Sequence, residues 1–124
     1  MSDKNLWAGK KFEIHAWENN GRCEIEEFLE LLRNQSHSDW KRIISLITYT
    51  AENGHPEGEE LCRLALCGPA IDIYEFVSGG SRIAWFYFKN SIVLCSGAFA
   101  SDKIERFIEN AVMIKEIYVR GAII

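Results

Sequence analysis

Apolar and polar positions between Ile71 and Phe99 fall into three short blocks of one kind. Ile71-Asp-Ile-Tyr-Glu-Phe-Val77 alternates along its length, the two-residue period of a half-buried strand. Ser78-Gly-Gly-Ser81 follows, and its glycines suit the positive φ of a tight reversal. Arg82 to Phe88 is a second strand dense in aromatic rings. Lys89-Asn-Ser91 is a second polar turn, and Ile92 to Phe99 is a third strand. Turns this short predict an antiparallel meander, because parallel neighbours need crossovers of a dozen or more residues.

Upstream, Lys11 to Trp17 sets Phe12, Ile14 and Ala16 against Glu13, His15 and Trp17. It predicts a short strand at an edge of the same sheet or inserted into it. Glu18 to Arg22 reads as a loop, with Asn20-Gly21 the turn signal. From Cys23 to Asn34 the period changes: Ile25, Phe28, Leu29 and Leu32 recur at helical spacing. Glu24, Glu26, Glu27 and Glu30 crowd the start of this helix, where acidic side chains suit the helix dipole. Ser38 is the expected N-cap of a second helix over Asp39 to Asn53, whose apolar face carries Trp40, Ile43, Ile44 and Ile47. Gly54 and Pro56 end it. The two helices form an αα-hairpin that leaves Lys41 and Arg42 outside.

Glu57 to Glu60 is an acidic, solvated stretch, and Leu61 to Leu66 a short apolar one before Gly68-Pro69. Beyond the meander, Ser101 is the expected N-cap of a last helix with Ile104, Phe107, Ile108, Ala111, Ile114 and Tyr118 on its apolar side. The order predicts an α+β fold in which helices cover one face of an antiparallel sheet.

At 124 residues the chain is expected to be a single domain, residues 1–124. Its 48% hydrophobic and 26% charged residues are ordinary for a globular protein. No apolar run approaches the ~20 residues of a membrane span, and Met-Ser-Asp-Lys-Asn is no signal-peptide core. The expectation is a cytoplasmic protein with no membrane partner. A net charge of −4 argues against a broad nucleic-acid surface and leaves room for a local basic patch. Cys23, Cys62, Cys67 and Cys95 contain no C-x-x-C pair, so free thiols are expected rather than a zinc site.

Particular residues then add a resemblance. Ala51-Glu-Asn-Gly54 closes a helix in an acidic-glycine turn, and Cys62-Arg-Leu precedes the strand motif Ile73-Tyr-Glu-Phe76. Gly79-Gly-Ser-Arg-Ile83 combines a glycine turn with a strand-opening arginine. Ile92-Val-Leu94, Gly97 and Phe99 lead to a helix ending in Lys115-Glu-Ile-Tyr118. Together these resemble the RelE/ParE superfamily of bacterial and phage toxins, and within it the HigB-type, phage-derived branch. The resemblance spans roughly Cys23 to Tyr118. It implies a RelE/ParE-like fold, a metal-independent endoribonuclease that cuts messenger RNA in the ribosome without a cofactor, and inhibition by a helix-turn-helix antitoxin. Val77 stands where the family has an arginine, Trp85 stands where it commonly has a tyrosine, and only Lys103 remains of its paired lysines. Two rival readings share the fold: a degenerate relative that acts by binding protein, and a ParE-like gyrase inhibitor.

RNA scission of this kind needs the 2′-hydroxyl deprotonated, the phosphorane charge neutralised and the leaving oxygen protonated. The candidate catalytic residues are Arg82, whose planar fork fits phosphate oxygens, with Lys103 for charge and Tyr118 for proton donation or stacking. Lys41, Arg63 and Tyr87 are candidate RNA contacts. Alternation along the strand places Arg82 and Tyr87 on opposite faces. His15 and His55 have the ordinary pKa for acid–base work but sit in no motif, and His37 lies in the interhelix turn. Trp7 and Trp17 are available for stacking on bases, whereas Trp40 and Trp85 read as core.

Overall fold

A computed structural model describes residues 1–54 and 72–121. The stretch Glu57–Leu66 and the candidates Arg63 and His55 lie outside the described residues, as do Cys62 and Cys67. Five strands and three helices follow in the order β1 (Ser2–Ala8), β2 (Glu13–Glu18), α1 (Glu24–Gln35), α2 (His37–Asn53), β3 (Tyr74–Ser78), β4 (Ser81–Phe88), β5 (Ser91–Ala98) and α3 (Ile104–Val119). The strands form one sheet in the order β1-β2-β5-β4-β3.

The meander is antiparallel as expected, with Phe76 opposite Ile83 and Phe86 opposite Val93. The complete sheet is mixed, because β2 enters parallel to β5 with Ile14 beside Ile92 and Ala16 beside Leu94. The Lys11–Trp17 strand is therefore internal, not at an edge. Its outer neighbour β1 carries a register shift between Asn5 and Trp7 and pairs antiparallel with it.

The expectation of helices on one face alone is corrected: the molecule has three layers. Ile25, Phe28, Leu32, Ile43 and Ile47 of the αα-hairpin pack with Ile14, Phe76, Ile83, Trp85, Ile92 and Leu94 on one side of the sheet. Phe107, Ala111, Ile114 and Tyr118 of α3 pack with Trp17, Ala84, Phe86 and Val93 on the other. The physical reason lies in β4 and β5, whose side chains are apolar in both directions. Such strands lose apolar surface to water unless both faces are covered.

Two caps also move. The N-cap of α2 is Ser36, not Ser38: its hydroxyl accepts from the Asp39 amide at 3.4 Å and donates to the Asp39 carboxylate at 2.9 Å. The same carboxylate accepts from the Ser78 hydroxyl at 2.8 Å and so ties α2 to the β3–β4 turn. The N-cap of α3 is Lys103, not Ser101, and it makes no side-chain cap bond. Asp102 accepts from the Phe99 amide at 2.7 Å and donates its own amide to the Phe99 carbonyl at 3.0 Å. That turn keeps residues 99–102 out of the helix.

Candidate functional site

The residues singled out in the sequence are dispersed by the fold. Arg82 is the second residue of β4, opposite Val77, and shares the α3 side of the sheet with Ala84 and Phe86 by strand alternation. Its guanidinium is already engaged: Nη1 lies 3.0 Å and 3.3 Å from the two carboxylate oxygens of Glu75. The Glu75 side chain is only 10% exposed, so the pair is partly withdrawn from solvent. A phosphate at Arg82 would have to displace that carboxylate.

Lys103 is exposed at the start of α3. Tyr118 lies in the last turn of the same helix, 2% exposed, packed edge-on against Phe86 and Phe88. Fifteen helical steps at ~1.5 Å separate the two, about 22 Å along the axis. The Tyr118 hydroxyl donates to Asp3 of β1. Burial, reinforced by that carboxylate, pushes the phenol well above its ordinary range and makes it a weak acid. Lys41 is exposed on α2, across the sheet from α3. Tyr87 is on the hairpin side, among Phe12, Tyr74 and Trp85. Arg82, Lys103 and Tyr118 therefore share one layer of the molecule without forming one site.

Two arrangements were not legible in the sequence. The first is a charged chain under the C-terminal end of α3. Asp3 takes the Tyr118 hydroxyl on one oxygen and His15 Nδ1 on the other, while His15 Nε2 lies 2.8 Å from Glu13 Oε1. Ionised carboxylates only accept hydrogen bonds, so a histidine that serves both must carry both ring protons. Desolvation pulls the His15 pKa down, but the bonds to Glu13 and Asp3 outweigh it and the net shift is upward. The chain is built to hold an imidazolium, which makes it a fastening for β1 rather than a free general base.

The second is a cleft of about 360 Å³ where β2 stops short of the end of β5. The β2–β5 pairing ends at Ala16 and Leu94, and β5 runs on to Ala98. A register shift where β4 passes from Ala84 to Trp85 leaves Cys95 as the extra residue of β5, just beyond the last β2–β5 pair. Glu24 and Ile25 of α1 form one wall, and Arg106, Asn110 and Met113 of α3 form the other. A second cleft of about 270 Å³ between β1 and the αα-hairpin is lined by Trp7, Arg33 and Trp40, with the Arg33 guanidinium 5.2 Å above the Trp40 ring.

Among the described residues no group of three or more His, Cys, Asp or Glu side chains is placed to hold a metal ion, and no helix is long and apolar enough to cross a membrane. Cys23 and Cys95 are buried, and the Cys95 thiol donates to the Ala84 carbonyl at 3.2 Å. Comparison with protein-family models, with curated proteins and with solved structures returns no match.

Proposed function

We propose that this chain is a cytoplasmic toxin of a toxin–antitoxin pair, RelE/ParE-like in fold, that acts by binding protein and not by cutting RNA. The reading of the class rests on the resemblance of Ile73-Tyr-Glu-Phe76, Gly79-Gly-Ser-Arg82 and the strand and helix that follow them. The observation that supports binding over scission is the state of the three candidate catalytic residues. Arg82 is closed on Glu75, Tyr118 is buried on Asp3, and Lys103 stands about 22 Å from Tyr118 along α3. Metal-independent scission needs its acid, base and charge within hydrogen-bond reach of one phosphate, and among the described residues these three candidates are not brought around one point. The inhibiting partner in this reading is a helix-turn-helix antitoxin, and the target is a protein of the translation or topoisomerase machinery.

The test is a translating ribosome programmed with a defined messenger RNA and supplied with the purified chain. Primer extension should find no cut. Cuts in the ribosomal A site that vanish with Arg82→Ala would overturn the binding mode and restore the endoribonuclease.

A further inference from the structure

We propose that the notch beside the end of β5 receives a short extended segment of the protein partner, which completes the sheet where β2 stops. The inference rests on the protein-binding reading and adds the place and the chemistry of the contact. Cys95 already shows the need at this edge, because its carbonyl accepts the Trp17 indole N–H at 2.9 Å where a strand would otherwise donate. Alternation turns the Gly97 N–H and C=O toward the same edge. Among the described residues, no strand runs alongside Ser96–Ala98 there. Backbone groups of that kind are what an added strand pairs with.

The opening fits such a segment in length. Cys95 to Ala98 spans three strand steps, about 10 Å, so about three residues can pair. Its side walls also differ in sign. Glu24 on the α1 wall and Arg106 on the α3 wall line the same cleft and form no ion pair with each other or with another described residue. Ser96 is 6% exposed, lines the cleft, and its hydroxyl has no partner among the described residues. Successive side chains of an extended segment point to opposite faces. The matching segment therefore presents a basic residue toward α1 and, next to it, an acidic residue toward α3, with an apolar residue before the pair on the side of Trp17 and Met113 and one after it on the side of Ile25.

The probe is the blocked peptide acetyl-Val-Lys-Glu-Val-amide, titrated into the full chain labelled with nitrogen-15. Saturable shifts should appear first at the Gly97 amide and the Trp17 indole N–H. Arg106→Glu should weaken binding about fivefold, and a peptide with lysine in place of its glutamate should regain it. N-methylation of the lysine and glutamate amides should abolish binding. The proposal is overturned by silence at Gly97 and Trp17 up to millimolar peptide, or by equal shifts from free lysine and glutamate, which would make the notch a small-molecule site. It is also overturned by the same shifts on raising protein concentration without peptide, which would assign the notch to a second copy. A silent notch in a chain that still arrests growth without cutting RNA removes this inference alone. Cut RNA removes the reading it rests on.

Discussion

His15 shows how a side chain with no motif around it acquires a defined role from the fold. Glu13 and His15 share a strand face by alternation, so their proximity is readable from the sequence. Asp3 and Tyr118 arrive from 12 residues upstream and 103 residues downstream of His15, and nothing local marks them. The folded-state pKa of His15 is raised above its ordinary value near 6.5. Its stabilising contribution is then fully present below about pH 6.5 and is lost as pH rises through the folded value. His15→Gln should cost about 1–3 kcal/mol at pH 6, and the gap in melting temperature to wild type should narrow steadily toward pH 9. A gap independent of pH would show that the imidazolium is not what Asp3 and Glu13 hold. Tyr118→Phe removes one neutral donor to Asp3 and should cost about 1–2 kcal/mol by urea denaturation, leaving growth arrest intact wherever the variant is folded.

The elements divide according to how much of their burial is written in a local pattern. The αα-hairpin and α3 were legible because their apolar positions repeat at helical spacing, and the meander was legible because its strands are bounded by polar turns. The cover on both faces was present in the sequence as the near-continuous apolar runs Ile83–Phe88 and Ile92–Cys95, which no one-sided sheet would carry. Strand β1 was not legible. Ser-Asp-Lys-Asn-Leu-Trp-Ala has no alternation, and its pairing with β2 is set by a partner strand and by the Gly9 turn fastened to the Ala51 carbonyl through the Lys11 and Phe12 amides. The end of β5 makes its own demand. A Cβ on Gly97 would fall 2.6 Å from the Phe28 ring, which is buried in the hairpin core. Gly97→Ala should therefore destabilise by about 1–3 kcal/mol, and adding Phe28→Leu should return part of that loss in a double-mutant cycle. Additive losses would show that the two do not meet.

Across the whole molecule, charge decides which kind of partner the surface favours. Lys4 is paired with Glu26, Arg22 with Glu27, Arg82 with Glu75 and Arg120 with Glu116, so several of the 14 basic side chains carry their own counter-ion. Glu24 and Glu30 add to an exposed acidic start of α1. An RNA backbone meets this surface as a like charge. Labelled single-stranded RNA should show no salt-dependent binding between 50 and 200 mM salt, conditions across which even two or three phosphate contacts give a measurable slope. A slope of about two or three would mean that a basic patch has been assembled in spite of the net charge of −4.

The central claim, a toxin that needs no RNA-cutting residues, is tested most directly by inducing the chain in growing bacteria beside the double variant Arg82→Ala, Lys103→Ala, with folding of both checked by circular dichroism. Both should arrest growth to the same degree. A wild type harmless at matched protein level contradicts the toxin, and a folded double variant that grows freely contradicts the claim that its toxicity is independent of those two side chains.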